Sequence, residues 1–192
     1  MDRRSGRQYR YMNPELRAET AKDGPKMIKG YFAVFDSEYN MGQGITESVD
    51  PGAFDKTLAG DIRALWNHNT DIVLGRTGVK TLTLKADSHG LYGEIEINEN
   101  DSDAVNAHAR VERGDVSQCS FGFDIIREEY EERPDGSWHF RLMEVELYEV
   151  SPCTFPAYKE TAISARANEV KTLQKRELDI WKNKTKERIK KC

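Results

Sequence analysis

Short runs of alternating apolar and polar residues, separated by turn residues, constrain the fold of this chain more than any other feature. Leu91 to Ile97 alternates cleanly, and Asp87 to Gly90, just before it, has the composition of a hairpin turn. A second hairpin is predicted where Arg133 to Gly136 separates two long runs. We therefore expect a β-rich α+β fold, with antiparallel strands in a closed sheet or β-barrel and peripheral helices.

The same patterns locate the individual elements. Strands are predicted at residues 27–35, 45–49, 62–69, 79–84, 91–97, 116–127 and 138–150. One helix is predicted from Asp50, as its cap, to about Gly60, with Pro51 at the first helical position. Another is predicted from Ser102 to about Arg113.

Composition divides the chain into three parts. Residues 1–26 are polar with little apolar periodicity, which predicts a flexible N-terminal arm. Residues 27–165 contain the alternating runs and form the predicted folded domain. Residues 166–192 carry ten Lys and Arg against four Asp and Glu, a charge of +6 that leaves −10 for the rest of a chain whose total is −4. Within this basic tail, residues 170–189 are a helix candidate with a thin apolar stripe.

Several function classes are disfavoured by composition. No run of 18 apolar residues exists, so no membrane span is predicted, and the basic N-terminus lacks the apolar segment of a secretory signal. The three cysteines show no CxxC spacing, so we expect neither a disulfide framework nor a zinc site, and no cofactor. The basic tail has no aromatic residue other than Trp181, so nucleic-acid binding is the least favoured function class.

A hydroxyl stands beside a thiol in the strand predicted at residues 116–127. Alternation places Cys119 with the phenylalanines on one face and Ser120 with Gly122 on the other. If the phenylalanine face is core, Cys119 is an inert buried thiol. Ser120 then points away from the core, beside a glycine that leaves room for another group.

A serine nucleophile needs a base to take its proton and a third group to orient that base. His68 lies at the end of a predicted strand and can supply the base. Glu149 lies near the end of the last predicted strand, and counting along that strand places it on the apolar face with Leu147. A buried carboxylate needs a partner, which a histidine would provide, although simple exposure at the strand end is the alternative.

Five motifs then occur in a characteristic order. They are Met27 to Phe35, Asp50-Pro51-Gly52-Ala53-Phe54, Trp66-Asn67-His68, Cys119-Ser120-Phe121-Gly122-Phe123 and Glu149 to Ala157. This set resembles the prohead (procapsid) maturation proteases of HK97-like tailed bacteriophages, which are similar to the herpesvirus assembly proteases. The resemblance covers about residues 27–165 and implies a serine endopeptidase of herpesvirus-protease-like fold. It implies His68 as general base and Ser120 as nucleophile.

The third catalytic group is less well defined by the resemblance. Herpesvirus relatives use a second histidine on a later strand, and the one histidine after Ser120 is His139, near a hairpin turn, where we expect it to be exposed. Glu149, in a Glu-Val-Ser block, is the preferred candidate to orient His68. Weaker candidates are His139, Glu144 and Glu146.

The resemblance also implies a biological setting. Such a protease acts in the host cytoplasm, inside the viral procapsid, where it cuts the scaffolding segment from the major capsid protein precursor and then cleaves itself. A homodimer is possible by the same resemblance. The basic tail, residues 166–192, would suit packaging and self-cleavage. The alternative is a non-catalytic capsid scaffold or assembly adaptor with the same β-barrel.

Overall fold

A computed structural model describes residues 8–12, 16–20, 24–155 and 159–190 of the chain. These residues form eleven strands and two α-helices, with a short 3-10 helix at Thr77–Val79. The strands are β1 (Gln8–Met12), β2 (Arg17–Thr20), β3 (Lys26–Val34), β4 (Tyr39–Gly42), β5 (Ile45–Val49), β6 (Arg63–Trp66), β7 (Asn69–Arg76), β8 (Leu82–Ala86), β9 (Gly90–Glu96), β10 (Gln118–Glu132) and β11 (Trp138–Cys153). The helices are α1 (Ser102–Glu112) and α2 (Lys159–Lys190), and no helix in the described residues is both long and apolar enough to cross a membrane.

The long antiparallel hairpin of β10 and β11 is the centre of the larger sheet. β1 pairs antiparallel with one edge of β10. The far edge of β11 pairs in parallel with β5 near its start and with β6 near its end. β4 and β7 complete this seven-stranded sheet through antiparallel pairing with β5 and β6. β6 and its turn are thereby held beside the end of β11.

A second sheet has the antiparallel order β2, β3, β9, β8. The main core joins the two sheets, because one cluster contains Ile28 and Leu91 from the second sheet and Phe121 and Val150 from the first. Burial of such side chains contributes roughly 1.5–3 kcal/mol each. The predicted β-rich α+β fold is confirmed. Within the described residues neither sheet closes on itself, so the closed sheet or barrel is not seen.

Two predicted hairpins and one predicted helix are present. Asp87 accepts hydrogen bonds from the backbone N–H groups of His89 and Gly90 in the turn between β8 and β9. The turn between β10 and β11 is closed by Arg133 N–H donating to the carbonyl of Ser137. The helix predicted from Ser102 is α1. The Asp101 side chain caps it, and Gly114, at φ 83°, follows its end.

The helix predicted from Asp50 to Gly60 is wrong. The segment is a series of turns, in which Ala53 N–H donates to Asp50 O and Gly60 N–H donates to Thr57 O. The carbonyl of Ala53 accepts from Val145 N–H of β11, and Thr57 N–H, which would bind that carbonyl in a helix, donates to Phe54 O instead. Tertiary contacts override the local helix signal here.

The described residues of both terminal segments contain regular secondary structure. Residues 1–26, interpreted as a flexible arm, include β1 and β2, while residues 1–7, 13–15 and 21–23 lie outside the described part. The helix predicted at residues 170–189 is α2, which begins at Lys159. An edge strand is held by main-chain hydrogen bonds, which do not depend on its side chains. A polar edge strand is therefore hard to predict from apolar periodicity.

Both terminal segments bind one buried carboxylate. The guanidinium of Arg10 in β1 forms a bidentate contact with Glu47 of β5, and two nitrogens of Arg166 in α2 donate to Glu47 Oε2. All three side chains are buried. Arg166 also donates to Glu128 and Glu169. Burial raises the pKa of Glu47, but the charges of Arg10 and then Arg166 outweigh it and hold the pKa at about 2.

Candidate active site

His68 lies in the two-residue turn between β6 and β7. Trp66 pairs with Asn69 across this turn, and the two central residues, Asn67 and His68, have φ angles of 51° and 60°. Positive φ at both central positions is the requirement of the turn type that matches the twist of paired strands. Asn and His are among the non-glycine residues that adopt this conformation most readily. The turn therefore projects the His68 ring from the end of a strand.

The turn is fixed to the end of β11 by four hydrogen bonds. Asn67 N–H donates to Pro152 O at 3.1 Å, and the Asn67 side chain contacts Thr154 twice, at N (2.8 Å) and at Oγ1 (3.3 Å). His68 N–H donates to Ser151 Oγ at 3.3 Å. The backbone that carries His68 is therefore held on both sides of the turn.

The His68 ring contacts the carboxylate of Glu149. Nδ1 lies 2.6 Å from Glu149 Oε1, and the Glu149 side chain is only 2% exposed. A carboxylate accepts hydrogen bonds, so the hydrogen of a neutral His68 ring lies on Nδ1 and Nε2 is the basic nitrogen. Ser151 Oγ donates to the other oxygen, Glu149 Oε2. The carboxylate is thus fixed from two sides.

Glu149 lies on the opposite sheet face from the one predicted. Leu147 pairs with Phe123, but Glu149 pairs with Gly122, so Tyr148 is an extra residue in β11. Such a bulge breaks simple alternation and turns Glu149 away from the face of Leu147. Gly122 provides the space, because a β-carbon at that position would lie 2.4 Å from Glu149 Oε1. The expected buried carboxylate with a histidine partner is present, on the face of Gly122.

Ser120 shares this face, two residues before Gly122 on β10, with Ser151 opposite it on β11. Its side chain is fully buried, and Oγ forms no hydrogen bond among the described residues. His68 Nε2 lies 3.7 Å from Cys153 Sγ. Burial, followed by the charge of Glu149, raises the pKa of Cys153 to about 12, so this neighbour is a neutral thiol. The structure brings His68 and Glu149 into contact and places Ser120 on the sheet face of Glu149, without a hydrogen bond to His68 in the described residues.

Comparison with known proteins identifies the family. A family model described as caudovirus prohead serine protease matches residues 13–176. The prohead protease of Enterobacteria phage HK97 is 31% identical over an alignment of 148 residues, and the alignment covers 74% of this chain. The chain belongs to the caudovirus prohead serine protease family. The alignment spans 61% of the length of the HK97 protein, and no solved structure matches the chain. The resemblance stated from the sequence motifs is confirmed at the level of family.

The thiol next to the proposed nucleophile of this prohead-protease family member is buried, as alternation predicts. Cys119 is inaccessible to solvent, on the face opposite Ser120, and its Sγ donates to Tyr31 O at 3.1 Å. Burial raises the pKa of Cys119 well above the usual thiol range. It has the environment of an inert thiol.

The weaker candidates for the third group have other partners. His139, expected to be exposed, is 12% exposed, with Nδ1 bonded to Thr46 Oγ1 (2.8 Å) and Nε2 to Ser48 Oγ (2.9 Å). The expectation was wrong because β5 pairs with β11 at this point and supplies both hydroxyls. Glu144 forms an ion pair with Lys56, and Glu146 lies opposite Asp124 on β10. Of these carboxylates, Glu149 contacts His68.

Three residues around His68 were not identified from the sequence. Ser151 lies two residues beyond Glu149, so alternation could have placed both on one face. Asn67 could have been recognised as a residue that tolerates positive φ before a strand. Tyr9 carries no sequence signal, although its ring centroid lies 4.4 Å from that of His68. In the described residues no group of three or more His, Cys, Asp and Glu is arranged to hold a metal ion.

Proposed function

We propose that this protein is a serine endopeptidase that cleaves the scaffolding segment of the major capsid protein precursor, and then itself, inside the phage procapsid. The observation that carries the proposal is the buried contact between His68 and Glu149 on the sheet face of Ser120. Membership of a serine protease family supports the same reaction.

The proposed mechanism gives each of the three residues one role. Ser120 Oγ attacks the scissile carbonyl carbon while its proton passes to His68 Nε2, and Glu149 stabilises the resulting imidazolium. His68 then gives this proton to the leaving amine, which leaves an acyl-enzyme. His68 then deprotonates water as it attacks the acyl carbon, and returns that proton to Ser120 Oγ when the acyl–oxygen bond breaks and the carboxylic acid product leaves. The mechanism requires Nε2 to turn from Cys153 towards Ser120, a rearrangement typical of resting sites that tighten on substrate binding.

Several finer features belong to this proposal as predictions. They are a catalytic unit at residues 27–165, a closed, herpesvirus-protease-like arrangement of strands, a possible homodimer, and packaging by the basic tail. β1 lies wholly outside residues 27–165 and α2 lies largely outside them, and both contact the buried Glu47. Ion pairs through Glu47 therefore join the proposed catalytic unit to both terminal segments.

Co-expression with the matching capsid protein precursor tests the proposal. The parent protein is expected to produce a shorter capsid protein by mass spectrometry, and Ser120→Ala is expected to leave the precursor intact. Cys119→Ala and Cys153→Ala are the controls, because each removes a nearby thiol and should leave cleavage in place. Cleavage that survives Ser120→Ala and is lost in either cysteine variant would contradict the assignment of Ser120.

The alternative function is a non-catalytic scaffold or assembly adaptor. One observation is compatible with it, namely that Ser120 Oγ is buried and has no hydrogen bond in the described residues. An adaptor would co-purify with an uncut precursor, equally for the parent and for Ser120→Ala. That result would replace the protease proposal.

A further inference from the structure

β1 lies along the edge of the strand that carries Ser120. Five antiparallel residue pairs join β1 to β10, from Gln8 opposite Phe123 to Met12 opposite Cys119. Tyr11 is the partner of Ser120. Since β11 pairs with the other edge of β10, both edges of the Ser120 segment are occupied by strands.

Side chains also cover the region of Ser120 and His68. The Tyr9 ring lies 4.4 Å from the His68 ring, and a β-carbon on Gly122 would lie 3.0 Å from Tyr9 Cε1. Ser120 is fully buried and the His68 side chain is 16% exposed. A polypeptide substrate must bring a carbonyl carbon to Ser120 Oγ. The arrangement with β1 in place is therefore a closed one.

A buried ion pair adds to the main-chain pairing that attaches β1. The Arg10 guanidinium binds Glu47 through two nitrogens and lies 5.4 Å from the centre of the Phe123 ring. The strand is short, and its pairing in the larger sheet is with β10. Losing Arg10 would leave Glu47 with Arg166 as a partner, so the carboxylate would not become an unpaired buried charge.

We propose that the edge of β10 from Cys119 to Phe123 is the binding site for the extended peptide segment that the protein cleaves, and that β1 occupies this site as an intramolecular ligand. The inference rests on the proposed function. Strand addition at a sheet edge gives affinity through main-chain hydrogen bonds and specificity through side-chain pockets. Here the pocket contains a buried carboxylate, Glu47. The favoured ligand is an extended strand whose basic side chain takes the place of Arg10.

The first test measures access to Ser120 in the full-length protein. A fluorophosphonate probe is added to the parent, to Arg10→Ala and to the control Arg17→Ala, which alters an exposed arginine of β2. The modified residue is identified by peptide mass spectrometry. Arg10→Ala is expected to label at Ser120 about tenfold faster or more, because β1 then loses the charge-assisted hydrogen bonds that attach it to Glu47. Arg17→Ala should match the parent.

The second test asks whether a peptide can replace β1. A synthetic peptide with the sequence of residues 4–14, the arginine peptide, is added to Arg10→Ala protein, beside the same peptide with alanine in place of Arg10, the alanine peptide. The arginine peptide should slow labelling back towards the parent rate, and the alanine peptide should not. In Arg10→Ala/Ser120→Ala protein, which has no proposed nucleophile, the arginine peptide should also protect the amides of Gly122 and its β10 neighbours from hydrogen exchange.

The outcomes separate the two proposals. Equal labelling of parent and Arg10→Ala, with faster exchange of the β1 amides in the variant, would overturn the inference. The inference would also be overturned if the arginine peptide did not protect the β10 amides from hydrogen exchange. Protection of β10 without any labelling of Ser120 would retain the binding site and overturn Ser120 as nucleophile. If Arg10→Ala does not fold, Tyr9→Ala replaces it, because it uncovers His68 and keeps the ion pair.

Discussion

Two histidines of the larger sheet have opposite surroundings. His68, in a turn, faces the Glu149 carboxylate through Nδ1 and the Cys153 thiol through Nε2. His139, within β11, has a hydroxyl on each nitrogen, from Thr46 and Ser48. The ring of His68 is therefore oriented by a charged acceptor and keeps a basic nitrogen that lacks a strong partner. The ring of His139 has a neutral hydroxyl bonded to each nitrogen, and a Glu38 carboxylate oxygen lies 4.0 Å from Nδ1.

The difference shows that the partner of one ring nitrogen of a histidine determines what the other ring nitrogen can do. A carboxylate on Nδ1 fixes the tautomer and stabilises a protonated ring, as a general base requires. Two hydroxyls adapt to either tautomer and hold the ring in place, which suits packing. The comparison can be tested by removing the distinguishing contacts one at a time.

The largest effect is expected from the histidines themselves. His68→Asn keeps a residue that tolerates positive φ and should lower the rate of precursor cleavage by about 10²–10⁴-fold, the range of general acid–base catalysis. His139→Asn should retain the rate per folded molecule. Cleavage is followed by mass spectrometry, with thermal unfolding to verify folding. Equal losses of cleavage rate in the two variants would contradict the distinction between His68 and His139.

Gly122→Ala should displace the Glu149 carboxylate and so disturb its contact with His68 Nδ1. In the described part of the chain, His139 has no hydrogen bond of this kind to a carboxylate. The new β-carbon would meet Oε1 at 2.4 Å, and misplacement of a catalytic group by about 1 Å can cost about 10²-fold in rate. Gly78→Ala is the control, because its β-carbon would meet only the ends of flexible side chains. A parent-like rate in Gly122→Ala would show that the position of Glu149 does not limit cleavage.

Ser151→Ala and Ser48→Ala form a matched pair of buried serine variants. Ser151 donates to Glu149 and accepts from His68 N–H, whereas Ser48 bonds only with the ring of His139 among the contacts described. Loss of a hydrogen bond to a charged group costs about 1.5–3 kcal/mol, so Ser151→Ala should slow cleavage about tenfold or more. Ser48→Ala should lower the melting temperature and leave the rate unchanged. A slower Ser48→Ala enzyme would contradict the assignment of His139 to packing.

The smallest expected effect concerns pH. Burial lowers the pKa of His139, and the nearby Glu38 carboxylate opposes this shift. The unfolded chain therefore binds more protons at this residue, and its contribution to the free energy of unfolding is present above about pH 6.5 and lost as pH falls. Urea unfolding at about pH 8 and pH 5.5 should show a smaller acid-induced loss in His139→Gln than in the parent. His89→Gln, in an exposed turn, should behave like the parent.

The features that local alternation and turn chemistry control could be predicted. The face shared by Ser120 and Gly122, the burial of Cys119, and the cap of α1 by Asp101 all follow from neighbours within a few residues. The family motifs added His68 and a preference for Glu149. Their roles as catalytic groups stay a prediction, as do the domain boundaries.

The remaining features depend on contacts between distant parts of the chain. The extra residue at Tyr148 reversed the predicted face of Glu149, and a bulge is a property of two paired strands. The segment after Asp50 is not helical because a distant strand binds its backbone. Arg10 and Arg166 find Glu47 across 37 and 119 residues. No periodicity within one segment encodes such pairs.

The shared carboxylate also affects how deletion experiments on this protein are interpreted. A truncation that ends before Arg166 removes a buried cation that neutralises Glu47, and it leaves β1 to hold that charge alone. Loss of activity after such a truncation would reflect weakened packing of the N-terminal strand β1 as much as any function of the tail. A boundary beyond Leu173, the last residue of α2 in a described apolar cluster, keeps these contacts. Deletions from that point onward test the basic segment by itself.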